Sequence, residues 1–290
     1  MQELFSGVCT AMVTPLTKDL EIDFKTFQKN IDWQILNGVS ALCIMGTTGE
    51  ASTLSFDEKV SIIKFAINHV KHRVPIIFGI GGNNPTEILK LGNTIKEHNI
   101  GNIGVLLSTP YYNKCTQDAA IKHFHDMANQ IKLPMIIYNI PGRAGMNLLP
   151  PTALKILNNP FVVGIKESSG NIAQITEIVR LCPDKAVYCG DDGLSLPCYS
   201  IGCRGIISVA SNIKPQETIA IYNNRDTKLF LEQTQIYDAL FCEVNPSPIK
   251  YAMSLLGMCK PYVRPPLTML SKSAIIQYGF RKLFSSTCNQ

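Results

Sequence analysis

Residues 161–170 of this chain read Phe161-Val162-Val163-Gly164-Ile165-Lys166-Glu167-Ser168-Ser169-Gly170. A short apolar run rich in β-branched residues is typical of a strand that is buried on both faces. The run ends on a lysine and a glutamate, and the serines and glycine after them predict a loop. Residues 161–165 therefore predict a strand of a parallel sheet that carries charged side chains at its carboxyl end.

Runs of the same kind recur on both sides of this stretch, and each is followed by a segment with helical period. Together they are Val8–Thr14, Ser40–Met45, Pro75–Gly79, Ile103–Leu107, Pro134–Tyr138, Phe161–Ile165, Ala186–Cys189 and Gly205–Val209. Eight buried strands that alternate with helices predict an α/β fold, a closed (β/α)8 TIM barrel. A doubly wound open sheet is the structural alternative, and it usually has about five or six such strands.

The remaining organisation is helical. Asp23, Thr116 and Asn171 are expected N-caps, and Ser55 with Glu58 has the spacing of a capping box. No second set of strands follows the eighth run, and the pattern predicts helices over Pro215–Asn223, Thr227–Phe241, Pro248–Leu256 and Ser273–Phe284. We expect residues 1–225 to form the barrel with the active site and residues 226–290 to form a C-terminal helical extension of the same structural unit.

Composition excludes several classes of protein. Of the 290 residues 46% are hydrophobic and 17% are charged, as in a globular chain, and the net charge is only +5. The basic residues are scattered, so neither a nucleic-acid surface nor a membrane surface is predicted. No apolar stretch reaches the length of a spanning helix, and residues 1–7 lack the pattern of a signal peptide. We therefore expect a cytoplasmic protein.

The chain has ten cysteines. No pair has the C-x-x-C spacing of a zinc or redox motif, and several lie in apolar runs, such as Cys43. We interpret most of them as small buried apolar residues in a reducing cytosol. No metal site is predicted.

Lys166 is the sharpest chemical feature, because the carboxyl ends of the strands form the active-site face of such barrels. A partly desolvated ammonium there is expected to have a lowered pKa, which leaves more neutral amine to attack a carbonyl and form a Schiff base. Alternatively, Lys166 extends to the barrel mouth and pairs with Glu167. Position alone leaves both open.

Neighbouring strand ends favour the chemical interpretation. The hydroxyl of Tyr138 is suited to relay protons, although a tyrosine there also serves as a core ring. Thr47 and Thr48 lie in a glycine-flanked turn whose hydroxyl and N–H groups suit a carboxylate, although a simple turn explains them too. The guanidinium of Arg143 suits a second carboxylate, although it is equally compatible with a surface arginine.

Seven short motifs share one order and spacing with a known family. They are Gly46-Thr47-Thr48-Gly49-Glu50, Thr109-Pro110-Tyr111-Tyr112-Asn113, Tyr138-Asn139-Ile140-Pro141-Gly142-Arg143, Gly164-Ile165-Lys166-Glu167, Gly190-Asp191-Asp192, Gly205-Ile206-Ile207-Ser208 and Glu243-Val244-Asn245-Pro246. Over nearly its whole length the chain resembles the dihydrodipicolinate synthase family of pyruvate-dependent class I aldolases.

The resemblance implies a lyase of lysine and diaminopimelate biosynthesis that condenses pyruvate with L-aspartate 4-semialdehyde and needs no cofactor or metal. It implies these site residues: Lys166 as the Schiff-base lysine; Thr47, Tyr112 and Tyr138 as a proton relay; Thr48 as a ligand of the pyruvate carboxylate; Arg143 as the receptor of the semialdehyde carboxylate; and Gly190 and Ile207 as backbone lining of the pocket. Tyr112 would enter the site of a neighbouring subunit, within a homotetramer built as a dimer of dimers.

Many members of the family are inhibited by lysine at a dimer interface. Ser52, Asn83, Glu87 and Tyr111 match that allosteric site. Phe56 and Lys59 stand where sensitive enzymes often carry residues compatible with lysine, and a cation at position 59 would repel a lysine ligand. We therefore expect weak or absent feedback by lysine.

Two other functions compete with this one. An N-acetylneuraminate lyase or another keto-deoxy sugar acid aldolase would use the same lysine and tyrosine, but the loop that carries Arg143 favours the synthase. A barrel that only binds a ligand or partner is the second, and the combination of Thr47, Tyr112, Tyr138, Arg143 and Lys166 argues against it.

Overall fold

A computed structural model describes residues 3–98 and 101–284 of the protein. Its strands form one closed barrel in which each strand pairs in parallel with the next and the last pairs with the first. They are β1 (Gly7–Ala11), β2 (Ala41–Ile44), β3 (Ile76–Gly79), β4 (Ile103–Ser108), β5 (Met135–Asn139), β6 (Val162–Glu167), β7 (Ala186–Cys189) and β8 (Gly205–Ser208). The predicted TIM barrel is thus confirmed.

Helices surround the barrel and continue beyond it. They are α1 (Phe24–Leu36), α2 (Phe56–Val70), α3 (Pro85–Glu97), α4 (Gln117–Ile131), α5 (Pro141–Ala144), α6 (Pro150–Leu157), α7 (Ile172–Leu181), α8 (Ser195–Ser200), α9 (Pro215–Asn224), α10 (Thr227–Leu240), α11 (Ser247–Leu255), α12 (Lys272–Gln277) and α13 (Phe280–Phe284). Within the described residues, none of them combines the length and apolarity needed to cross a membrane.

Local chemistry sets the helix starts that the sequence predicts. The side chains of Asp23, Thr116 and Asn171 each accept a hydrogen bond from a backbone N–H in the first turn of the following helix. Ser55 and Glu58 form the complete capping box at the start of α2. These contacts satisfy N–H groups that have no partner within the helix.

Two predicted elements differ from the structure. The first strand ends at Ala11 rather than at Thr14, because the N–H of Val13 donates to the side chain of Asn212 instead of to a neighbouring strand. The helix expected over residues 273–284 is divided into α12 and α13 around Gly279, whose φ is +61°. Glycine adopts this left-handed conformation without steric cost.

The segment after the barrel folds back onto the carboxyl ends of the strands. Lys250 of α11 is fully buried and forms an ion pair with Glu50, which follows β2 and is also buried. Lys250 Nζ also donates to the carbonyl of Tyr262 at 2.9 Å, and the N–H of Arg264 donates to Glu50 Oε2 at 2.9 Å. The expected boundary at residue 225 lies between α9 and α10, but these bonds connect the two sides of it.

We predict that Lys250→Met destabilises the protein by about 3–5 kcal/mol, because it leaves the carboxylate of Glu50 buried without its cation. Chemical denaturation measures the free energy of unfolding. The double variant Lys250→Met/Glu50→Gln should recover part of the loss, since no buried charge is then left uncompensated. Lys122→Ala, which breaks the exposed ion pair with Asp126, is the control and should change little. Equal losses in Lys250→Met and Lys122→Ala would contradict the prediction.

Candidate active site

The expected Schiff-base lysine and the expected proton-relay tyrosine lie opposite each other on adjacent strands. Tyr138 of β5 and Lys166 of β6 are partners in the parallel ladder, one residue before each strand ends. Both side chains are almost fully buried, with exposures of 6% and 7%. The Nζ atom of Lys166 lies 4.2 Å from the centroid of the Tyr138 ring. This contact stabilises the ammonium through the ring face.

Burial and contacts act in opposite directions on Lys166. Burial by itself lowers its pKa, but the Tyr138 hydroxyl, with the thiols of Cys43 and Cys9, outweighs burial and leaves the pKa of Lys166 above its ordinary value. The prediction of a lowered pKa is therefore wrong. The amine is an ammonium at neutral pH, so it must transfer a proton before it can attack a carbonyl carbon.

Glu167 does not pair with Lys166. Its carboxylate accepts hydrogen bonds from Asn139, Ser169 and Gln174, and within the described part of the chain no ion pair connects it to the lysine. Consecutive residues of a strand face opposite sides of the sheet, so the two side chains diverge. The alternative interpretation, a lysine that extends to the barrel mouth and pairs with Glu167, does not hold.

Gly190 follows β7 and leaves space for the lysine. A Cβ atom at this position would lie 2.7 Å from Lys166 Cε and would also collide with Ser168 Oγ. The N–H of Gly190 donates to the carbonyl of Glu167 at 2.9 Å, which holds the two strand ends together. Ile207, on β8, is fully buried. A side chain at position 190 would therefore displace Ser168 or the end of Lys166.

Thr47 and Thr48 form a tight turn after β2. The turn is closed by bonds from the N–H of Gly49 to the carbonyl of Gly46 and from the N–H of Glu50 to the carbonyl of Thr47. Thr48 is buried, and its hydroxyl accepts a hydrogen bond of 2.9 Å from the amide of Asn245. A hydroxyl that accepts this bond keeps its own hydrogen for another acceptor, such as a carboxylate.

Arg143 lies on α5, at the rim of the site. Its guanidinium is exposed and donates to the carbonyl of Asn245 at 3.2 Å. Asn245 thus contacts both Thr48 and Arg143, although it lies 197 residues after the first and 102 residues after the second. The motif Glu243-Val244-Asn245-Pro246 was recognisable in the sequence, but no neighbouring residue indicated that Asn245 contacts the barrel.

A cavity of about 700 Å³ opens at this end of the barrel. Among the expected site residues its wall includes Thr47, Tyr138 and Arg143, and further out Ser52, Asn83, Glu87 and Tyr111. Thr48, Lys166, Gly190 and Ile207 are not part of that wall. One continuous space therefore joins the surroundings of Tyr138 to the cleft expected to bind a regulator.

Tyr112 stands apart from the cavity. Its side chain is 85% exposed and its φ is +70°, an uncommon value for a residue with a bulky side chain. The structure does not bring Tyr112 together with Thr47 and Tyr138 within one chain.

The fold and this site define a class of protein: a TIM barrel that holds a buried lysine against a tyrosine at its mouth. The model of the family described as "Dihydrodipicolinate synthetase family" matches residues 4–279. The chain belongs to this family.

Individual relatives agree. The chain is 43% identical over 277 residues to the 4-hydroxy-tetrahydrodipicolinate synthase of Alkaliphilus oremlandii, covering 93% of this chain and 94% of that one. The structure of the chloride-inhibited dihydrodipicolinate synthase of Acinetobacter baumannii, complexed with pyruvate, superposes with a TM-score of 0.91 at 36% identity, covering 96% and 98%. The lysine-bound enzyme of Cyanidioschyzon merolae gives 0.88 at 34% identity, covering 96% and 100%.

We predict that Tyr138→Phe shifts the titration of Lys166 to lower pH. The ring stays in place, but loss of the hydroxyl removes a group that raises the pKa of the lysine, so that pKa should fall. Because only the deprotonated amine reacts, labelling of Lys166 by acetaldehyde and cyanoborohydride should rise at lower pH in the variant, as mass spectrometry can follow. The exposed Lys122 is an internal control with an unchanged profile. Identical profiles for Lys166 in both proteins would refute the prediction.

Proposed function

We propose that the protein condenses pyruvate with L-aspartate 4-semialdehyde to give 4-hydroxy-tetrahydrodipicolinate, in lysine and diaminopimelate biosynthesis. The observation that carries this proposal is the buried amine of Lys166 against the ring of Tyr138, in a chain that belongs to the family over residues 4–279. The pyruvate in the A. baumannii structure supports the first substrate.

The proposed reaction begins on Lys166. After loss of a proton, Nζ attacks the keto carbon of pyruvate, and the carbinolamine loses water to form an iminium ion. The iminium withdraws electrons, so the methyl group loses a proton and an enamine forms. The enamine carbon attacks the aldehyde of the second substrate. The amine of that substrate then closes on the imine carbon and releases Lys166.

Proton transfers are assigned to Tyr138, with Thr47 and Tyr112 completing the relay. The Tyr138 hydroxyl is suited to the task because it lies close enough to Lys166 to raise the pKa of the lysine. Thr48 is assigned to the pyruvate carboxylate, since its hydroxyl keeps a hydrogen to donate. The exposed position of Tyr112 supports its entry into the site of a neighbouring subunit, within a homotetramer built as a dimer of dimers.

Arg143 is assigned to the carboxylate of the second substrate. It lines the cavity near Tyr138, and the carbonyl of Asn245 fixes one end of its guanidinium. A planar guanidinium can bind a carboxylate through two parallel hydrogen bonds. Gly190 and Ile207 are assigned to the pocket lining around the lysine.

A cytoplasmic location is part of the proposal. Its support is the biosynthetic role and the cysteines: the nine within the described residues are all free thiols, and most are buried. Burial raises the pKa of thiols such as Cys43, to about 11, which keeps them protonated and unreactive at neutral pH.

We predict that borohydride traps a pyruvate adduct on Lys166 and that Lys166→Ala abolishes this trapping. Lys155→Ala, which changes an exposed lysine, is the control and should leave trapping unchanged. Arg143→Ala should keep trapping but lose condensation with the semialdehyde by on the order of 100-fold, because only the second substrate uses this guanidinium. Mass spectrometry and a coupled condensation assay measure the two effects.

Two results would redirect the assignment. An adduct together with release of pyruvate from a keto-deoxy sugar acid, and none of the condensation, would indicate the sugar acid aldolase. No adduct on the folded wild-type protein would exclude both enzymes and leave a binding protein.

The regulatory cleft is proposed to respond weakly to lysine. Lys59 lines it and is half-buried, and Glu87 is the acidic group that offsets the lowering of its pKa by burial. Nearby, Lys90 Nζ lies 4.1 Å from the centroid of the Phe56 ring. The carboxylate of Glu87, part of the expected lysine site, is therefore already influenced by the charge of Lys59, and the ring of Phe56 is covered by Lys90.

We predict that lysine below about 1 mM leaves the initial rate unchanged, because Lys59 repels a ligand of like charge in a partly buried site. Lys59→Ala should increase the sensitivity, because it frees Glu87 for the ligand, whereas the exposed Lys155→Ala should not. Half-inhibition of the wild type by sub-millimolar lysine would contradict the prediction.

A further inference from the structure

A second pair of residues, Asn139 and Glu167, lies directly beside Tyr138 and Lys166. In the ladder between β5 and β6, Tyr138 is opposite Lys166, and the next partners are Asn139 and Glu167. Because side chains alternate along a strand, the second pair faces outward, away from the barrel interior. Both side chains are fully buried, with exposures of 0%.

Hydrogen-bond donors converge on the carboxylate of Glu167. Asn139 Nδ2 lies 2.9 and 3.2 Å from its two oxygens, the N–H of Ser169 lies 2.7 Å away, and Gln174 Nε2 lies 3.2 Å away. An ionised carboxylate only accepts hydrogen bonds, so it suits this environment. Burial raises the pKa of Glu167, and the bonds oppose that rise. The carboxylate is thus fixed by neutral donors from three segments.

The same network reaches the loop behind Arg143. Asn139 Oδ1 accepts from the N–H of Leu148 at 2.9 Å, and Asn139 Nδ2 donates to Asn147 Oδ1 at 2.8 Å. Asn147 Nδ2 in turn donates to Gln174 Oε1 at 2.8 Å. The bonds therefore connect the ends of β5 and β6 with helix α7 and with the segment that follows α5.

We propose that Glu167 and Asn139 are positioning residues that set the distance between the amine of Lys166 and the hydroxyl of Tyr138. This inference rests on the proposed function, because it assigns a task to the neighbours of the Schiff-base lysine and its proton relay. The action is geometric: the groups that raise the pKa of Lys166 are Tyr138, Cys43 and Cys9, and Glu167 is not among them. Small displacements of reacting groups cost large factors in rate.

A purely structural role would also make the network important for stability, so the test needs a second readout. Glu167→Gln keeps the shape of the side chain but turns an N–H₂ group toward donors, so part of the network is lost. We expect the single-turnover rate of imine formation with pyruvate, trapped by borohydride and normalised to folded protein, to fall by roughly 10- to 100-fold. The pH midpoint should also fall, because a looser contact with Tyr138 leaves burial to dominate the pKa of Lys166.

Reversal of the pair provides a rescue. In Asn139→Asp/Glu167→Gln the donor and the acceptor exchange places, and the total charge is that of the wild type. The double variant should recover part of the rate and of the pH midpoint. Gln174→Met is a milder variant that removes one donor, and it should shift both quantities in the same direction by less.

Gln34→Met is the matched control. Gln34 is buried in another polar network on the outside of the barrel, where it accepts from Thr10 Oγ1 at 2.7 Å and donates to the carbonyl of Ser211 at 2.9 Å. This variant should lower the unfolding temperature while leaving the imine rate and its pH midpoint unchanged.

The outcomes separate the two proposals. If Glu167→Gln and Gln174→Met lose stability but keep the wild-type rate and pH midpoint, the positioning role is overturned. Should Glu167→Gln fail to fold, Gln174→Met and the double variant decide by the same criteria. A wild-type protein that forms no imine with pyruvate overturns the proposed function, and with it this inference.

Discussion

Closure of eight parallel strands is the constraint on which the rest of the molecule depends. A closed ladder leaves no unpaired edge, and its strands are buried on both faces. All carboxyl ends then meet at one mouth, where residues at the ends of β2, β5, β6 and β7 come together although they are far apart in the chain. The barrel interior also excludes water, so an amine placed there is sensitive to each neighbouring hydroxyl and thiol.

The barrel alone does not complete this mouth. Two contacts join the loop after β2 to the helical extension. They are the buried ion pair between Glu50 and Lys250, and the hydrogen bond that the amide of Asn245 donates to the hydroxyl of Thr48. Burying an ion pair is costly, and its stabilising effect over an apolar alternative is small. Its specific effect here is positional, because it connects α11 directly to the loop after β2. The turn with Thr47 and Thr48 is thereby held between β2 and α11.

Alternation of side chains divides two strand ends into a chemical face and a supporting face. Tyr138 and Lys166 point inward, where Lys166 Nζ lies 4.2 Å from the tyrosine ring, whereas Asn139 and Glu167 point outward into a polar network. A buried carboxylate surrounded by neutral donors is stable only while every bond is made. Outward polar residues therefore fix the inward ones, although they contact no substrate.

The sequence by itself determined the fold class, the strand positions and the helix starts. These follow from local pattern: the apolar runs, the capping residues before helices such as α1, α2, α4 and α7, and the position of Lys166 at the end of a strand. Only the tertiary structure decided the sign of the pKa shift of Lys166, because burial alone predicts a decrease and the contacts with Tyr138, Cys43 and Cys9 reverse it. It also decided the pairing of Lys250 with Glu50 and of Asn245 with Thr48. Those partners are separated by about 200 residues, and electrostatic and hydrogen-bonding energies depend on distance in space, which no local pattern contains.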